Sequence, residues 1–207
     1  MSNFKADLNQ EHLLSEFLDG IYFSKNLSFT RIHDRNQQYQ GVDVVIEINN
    51  KEFFIDEKAQ LHYLNHDLPT FTFELSYINK EGTINLGWLL DTTKKTDYYF
   101  LITDIRLGNG KQNLTEAKDI ASVKITSVNR QKLIAHLDNI GLSKSRLIAY
   151  DLDLRTRKTF GKNPIPEFRN PKHGCLFFTQ HLAEQPINLQ LRLSYLLQKG
   201  VAKIFSK

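Results

Sequence analysis

Residues 41–60, GVDVVIEINNKEFFIDEKAQ, limit the fold of this chain more than any other stretch. Val42, Val44, Ile46 and Ile48 alternate with other residues, the period of a strand with one apolar face. Asn49-Asn50 supplies a tight turn, because asparagine tolerates the left-handed backbone that two-residue hairpin loops require. Alternation resumes from Phe53 to Lys58. The segment therefore predicts a β-hairpin, and any architecture must build a sheet around it.

The flanking pattern supplies the rest of the expected elements. Leu14, Phe17, Leu18 and Ile21, widened by Leu13, predict a helix over about 7–22. Residues 28–34 read as a short strand, 70–78 (TFTFELSYI) as another, and 85–91 as a short helix or turn. Residues 97–105 (DYYFLITDI) read as a strongly apolar, central strand. A polar, glycine-containing loop over 107–117 precedes a strand over 119–127 and an amphipathic helix over 129–139. Residues 142–150 read as helical or extended. Four of the five prolines follow residue 163, so 151–187 reads as irregular, before a closing helix over 188–199 ended by Gly200. A helix, a run of antiparallel strands and then mixed elements predict α/β (α+β), with a mixed β-sheet flanked by helices rather than a βαβ repeat.

Length and composition narrow the class. The 207 residues suit a single domain, with a core over about 8–105 and a C-terminal elaboration over about 106–207. With 41% hydrophobic and 24% charged residues, 14 Phe and 8 Tyr, the chain can bury a core and does not read as disordered. No apolar run approaches the roughly 18–20 residues of a membrane span, and MSNFKADLNQEH lacks a basic-then-apolar leader. The lone Cys175 excludes an internal disulfide and a cysteine-based zinc cluster. The expectation is a soluble, cytoplasmic protein. A net charge of +4 suits a polyanionic partner but singles none out.

The hairpin also carries acidic groups where a core strand would place apolar ones. Asp43 stands between Val42 and Val44, and Asp56 and Lys58 follow Phe53-Phe54-Ile55. Strand side chains alternate, so Asp56 and Lys58 share a face, and Asp43 joins them if the register permits. Two carboxylates with water and phosphate oxygens suit Mg²⁺, a hard ion that retains several waters. Such an ion activates water and stabilises charge on a scissile phosphate, while a lysine positions the nucleophile or offsets developing charge.

Gly41-Val42-Asp43-Val44 followed by Ile55-Asp56-Glu57-Lys58 resembles the PD-(D/E)XK nucleases, the restriction-endonuclease-like superfamily. The 13-residue interval from Asp43 to Asp56 and the preceding helix both suit that family; the proline that often precedes the first aspartate is replaced by Val42. The resemblance implies a restriction-endonuclease-like core and Mg²⁺-dependent hydrolysis of DNA, with Mn²⁺ able to substitute. It implies that Asp43, Asp56 and the Glu57 carbonyl hold the metal and that Lys58 orients or activates water. It also implies an accessory glutamate on the first helix: Glu11 lies at the edge of the apolar stripe, whereas Glu16 points nearly opposite. A homodimer is the assembly expected of a nuclease that cuts both strands. The alternatives are a catalytically inactive nuclease fold that binds nucleic acid or a protein partner, and an unrelated interaction domain.

Further residues carry lesser expectations. Glu74 interrupts the alternation of 70–78, and Gln60 shares the face of Asp56 and Lys58. Gln37, Gln38 and Gln40 precede the motif on the DNA approach. Arg31 and Arg35 are read as phosphate contacts, as are Lys94 and Lys95 beside Trp88, a residue that reads as core or as a base-stacking surface. His62 and His66 have zinc-chelating spacing for a helix, but Leu68-Pro69 follow and no third ligand is evident. Cys175 with His173 lacks the supporting acid of a thiol nucleophile. Gly108-Asn109-Gly110 matches neither phosphate-binding glycine motif.

Overall fold

The structure is a computed structural model and describes residues 4–207; the reading of the first three residues as part of a leaderless N-terminus lies outside that range. Helix α1 (Phe4–Ser24) is followed by β1 (Ser28–Arg31), the one-turn helix α2 (Arg35–Tyr39), β2 (Val44–Ile48) and β3 (Lys51–Ala59). The expected hairpin is β2–β3, and its Asn49 and Asn50 both take positive φ, 53° and 59°. That pair of angles matches the right-handed twist of the two strands. The chain continues through β4 (Thr70–Ile78), β5 (Ile84–Leu86), β6 (Tyr98–Leu107) and β7 (Ile120–Asn129). Helices α3 (Arg130–Asn139) and α4 (Lys144–Arg157) precede β8 (Gly161–Asn163), β9 (Gly174–Phe178), β10 (Ile187–Arg192), α5 (Leu193–Gln198) and β11 (Ala202–Ser206).

The strands form two sheets, not the one expected, in a mixed α/β fold. Contacts divide the chain into two compact units, and the division does not fall near residue 105. The first unit takes the described residues up to Leu68, then Thr96–Val128 and Lys203–Lys207; the second takes Pro69–Lys95 and Asn129–Ala202.

The first unit is built on the sheet β1-β2-β3-β6-β7-β11. Strand β2 runs antiparallel to both β1 and β3, and β3 runs parallel to β6, so the central place expected for 97–105 is the one β6 occupies. Val44 faces Ile55 and Ile46 faces Phe53 across the hairpin. Leu14, Leu18 and Tyr22 of α1 join Val44, Ile46, Ile55, Phe100 and Ile102 in one buried cluster. Each of these aliphatic side chains contributes about 1.5–3 kcal/mol by leaving water. That burial fixes α1 on the sheet, with Tyr22 edge-on to Phe29 at 5.2 Å.

The second unit is built on the sheet β5-β4-β10-β9-β8. Strand β10 is central and antiparallel to both β4 and β9, pairing Leu189 with Phe73 and with Leu176. Its sequence, INLQLR, buries Ile187, Leu189 and Leu191 at strand period. This corrects the helix expected over 188–199, which is β10 followed by the short α5. Residues 151–187 are likewise more ordered than their prolines suggest. Helix α4 runs to Arg157, and Pro164, Pro166, Pro171 and Pro186 fall between β8, β9 and β10 rather than inside them. Residues 84–86 form β5, and the residues after them form turns, not a helix.

Gly87 marks a close approach of two backbones. Its amide donates to the Leu75 carbonyl at 2.7 Å, and a Cβ placed there would lie 2.5 Å from the carbonyl carbon and oxygen of Glu74. Backbone cannot step aside as a side-chain tip can. Gly87→Ala is therefore expected to destabilise the chain by about 2–3 kcal/mol, read as a lower midpoint in urea unfolding; an unchanged midpoint would refute the crowding. No helix among the described residues is long and apolar enough to cross a membrane.

Candidate active site

The open end of the hairpin brings three of the expected residues together. Asp43 immediately precedes β2, where its amide donates to the Ile55 carbonyl at 2.8 Å and its own carbonyl accepts from the Ile32 amide at 2.8 Å. The β2–β3 ladder ends at the Val44–Ile55 pair, and Asp43 stands one residue beyond it. The Oδ2 of Asp43 accepts the Glu57 amide at 2.8 Å, which fixes the carboxylate against β3. Asp56 is buried, 2% exposed, and its Oδ1 is ion-paired with the Lys58 ammonium. Alternation along β3 accounts for this pairing, since residues 56 and 58 share one face while Ile55 packs into the cluster beneath α1.

The surroundings shift the Asp43 carboxyl. Burial, together with the neighbouring Asp56 carboxylate, pushes the Asp43 carboxyl up to about 7; the Lys58 ammonium and the Glu57 amide pull the other way without overcoming it. Two carboxylates thus lie close enough to repel, one of them paired with the Lys58 ammonium.

A cavity of about 540 Å³ opens at this end of the unit. Asp43, Glu57 and Lys58 line it from the hairpin, Glu11, His12 and Ser15 from α1, and Arg31, His33 and Gln38 from β1 and the segment after it. Asp56 is not in the lining and sits behind its partner Lys58. Glu11 meets the cavity because it lies one helical turn before Leu14 and Ser15. Glu16 faces a different depression, with Lys118. His12 and His33 were not singled out from sequence; neither lies in a motif that marks it.

The Glu57 side chain is committed elsewhere. It accepts the Tyr22 hydroxyl at 2.6 Å and the Arg31 Nη1 at 2.8 Å, and Arg31 also clasps Asp19 through Nη2 at 2.6 Å. Burial works against the charge on Arg31, but the two carboxylates outweigh it and raise its pKa. Burial first, then Glu57, raises the Tyr22 hydroxyl well above its ordinary value. The expectation of Arg31 as a phosphate contact is therefore corrected: its guanidinium ties α1 and β1 to β3. Arg31→Met leaves Asp19 and Glu57 without their shared cation and is expected to cost about 2 kcal/mol of stability, measured by urea unfolding; an unchanged midpoint would show that the clamp contributes nothing. The Glu57 main chain stays relevant. The Phe54 carbonyl accepts from Asp97 and the Ile55 carbonyl from Asp43, so alternation turns the Glu57 carbonyl to the Asp43 side.

The remaining expected residues scatter. Gln60 ends β3, where its amide donates to the Ile102 carbonyl, and Arg35 and Gln37 are exposed on α2. Gln40 caps that helix, while Gln38 alone of these glutamines reaches the cavity. Glu74, Lys94 and Lys95 belong to the second unit and do not line this cavity; Lys94 pairs with Asp91 at 3.8 Å. Trp88 is half-buried and packs on Phe73, centroids 5.3 Å apart. His62 lies in a 3₁₀ turn over Leu61–Tyr63 and His66 beyond it, so one helix does not present the two. The Cys175 thiol, its pKa raised by burial, faces Gln190 rather than His173.

The donor set fits a small hard cation. Among the described residues no group of three or more His, Cys, Asp or Glu is placed to hold a metal ion. Two adjacent carboxylates and a carbonyl are nonetheless the partial oxygen shell that Mg²⁺ accepts, the remainder being water and phosphate oxygens. No family model, curated protein or solved structure matches the chain.

Proposed function

We propose that the chain is a metal-dependent nuclease of the PD-(D/E)XK type, with a restriction-endonuclease-like core, that hydrolyses phosphodiester bonds in DNA. What supports this reading is the Asp43 carboxylate held on the Glu57 amide, the residue between Asp56 and its ion-pair partner Lys58, beside a cavity that Glu11, Asp43 and Lys58 line. The order of helix, aspartate, hairpin and Asp-x-Lys along the first unit supports it further.

Asp43 and Asp56 would hold Mg²⁺, or Mn²⁺ in its place, with the Glu57 carbonyl as a third oxygen. When bound, such an ion lowers the pKa of water and stabilises charge on the phosphate. The Glu57 amide holds the Asp43 carboxylate in place for that task. Asp56 orients the Lys58 ammonium, which lines the cavity and donates hydrogen bonds to the attacking water and to the phosphate oxygens as charge builds on them. Glu11, from α1, supplies an accessory carboxylate. Two copies of the chain acting as a pair would cut both strands.

The test is cleavage of plasmid, linear and branched DNA, and of RNA, with Mg²⁺ or Mn²⁺ and with chelator. DNA fragments that appear only with metal are the expected result. Intact DNA under both metals would sink the reading.

A further inference from the structure

The second unit carries a cationic cleft that phosphodiester hydrolysis does not use. Two cavities of about 440 and 400 Å³ share His173 and Tyr195 as a common wall. Lys172 and Arg192 line the first, and Arg169 and Lys199 the second. Arg169, Lys172 and Lys199 are exposed, and Arg192 is half-buried. None of the four is ion-paired among the described residues. Glu167, the one carboxylate in the two linings, is already engaged by Arg146 at 3.1 Å and by the Tyr150 hydroxyl at 3.0 Å.

The wall between the cavities is built from packed rings and hydrogen bonds. The His173 ring stacks on Tyr195 with centroids 4.4 Å apart and planes 21° from parallel, and Phe168 meets Tyr195 edge-on at 5.8 Å. His136 Nε2 lies 2.7 Å from the Tyr195 hydroxyl, and the Arg192 amide donates to the His173 carbonyl at 2.9 Å. Cations spread over a fixed concave surface focus positive potential outward and draw a polyanion to it. Tyr195 is only 5% exposed, so its ring offers no open face for unstacked bases. Its chemistry fits regularly spaced phosphates.

We propose that this cleft binds the phosphate backbone of duplex DNA, which makes the second unit the part that holds substrate. The proposal rests on the nuclease reading for the identity of the polyanion. Sequence-independent backbone contacts of this kind position a duplex without selecting its bases.

The experiment measures binding of the full chain to a fluorescein-labelled duplex oligonucleotide by anisotropy, with chelator present, over a series of salt concentrations. Each phosphate contact contributes about 0.9 to the slope of log K against log salt. The triple variant Arg169→Ala, Lys172→Ala, Lys199→Ala alters three exposed side chains and keeps the fold. It is expected to flatten the slope by about 3 and to weaken binding at least ~10-fold near physiological salt. A control variant with Lys51, Lys80 and Lys118 changed to alanine, all exposed elsewhere, is expected to keep the wild-type slope. An unchanged slope in the triple variant, an equal loss in the control, no binding by the wild type, or preference for phosphatidylglycerol vesicles over duplex would each overturn the proposal. The two readings fail separately. A chain that binds through these cations but never cuts refutes hydrolysis alone, and one that cuts with an unaltered salt slope refutes the cleft alone.

Discussion

Asp56→Asn is expected to reduce metal-dependent cleavage by about a thousandfold or more while leaving duplex binding in chelator unchanged. Asparagine keeps the volume of a side chain that is 2% exposed and keeps one oxygen for the Lys58 ammonium, so the fold survives. What it removes is one of two carboxylates and, with it, the lesser of the two causes that raise the Asp43 carboxyl, burial being the larger. The site then offers a single carboxylate to the cation, and Mn²⁺ affinity measured by calorimetry falls with activity. Lys58→Met separates the two roles. It leaves both carboxylates and takes away the cation that offsets them, so Mn²⁺ affinity holds or rises while cleavage still falls by about a hundredfold or more. Wild-type cutting by the Asp56 variant, or parallel loss of Mn²⁺ affinity in both variants, would sink the assignment.

The parts of this molecule that were legible from sequence are those fixed by neighbours in the chain. The Asn49-Asn50 turn and the flanking alternation specify β2, β3 and their register locally, and with them the shared face of Asp56 and Lys58. The apolar stripe of α1 likewise favours Glu11 over Glu16 at the cavity. The second sheet was hidden because β4 finds its partner in β10, more than a hundred residues later. No local pattern announces such a pairing. INLQLR followed by LSYLLQ supports strand or helix periodicity over so short a span, and burial between β4 and β9 decides for the strand. Arg31 reads as a surface cation until the fold supplies Asp19 and Glu57 on separate elements. The cationic cleft is similarly dispersed: Arg169, Lys172, Arg192 and Lys199 form no run in the sequence, and only the packing of α5 beside the segment before β9 collects them.

The same carboxylate pair should govern how stability depends on pH. An aspartate in the unfolded chain titrates near 3.9, whereas Asp43 in the folded chain titrates at about 7. Between those values the folded state keeps a proton that the unfolded state has released, so raising the pH favours unfolding. The stabilisation is complete below about pH 4, is lost through pH 7 and is flat above it, and amounts to at most about 4 kcal/mol. Asp91 and Glu167 have depressed pKa values through their hydrogen bonds and act in the opposite sense, losing stability as the pH falls. The informative quantity is therefore the difference between the wild type and Asp43→Asn in urea unfolding from pH 4 to 8, which removes those common contributions. In chelator that difference should fall from pH 4 to about 7 and then level off. With Mg²⁺ at about a hundred times its dissociation constant, the cation takes the place of the proton and the wild type gains about 2.7 kcal/mol above pH 7. The variant, left with one carboxylate, gains little. A flat difference in chelator would show that neither burial nor the Asp56 carboxylate raises the Asp43 carboxyl, and an equal response of both chains to Mg²⁺ would remove Asp43 from the metal site.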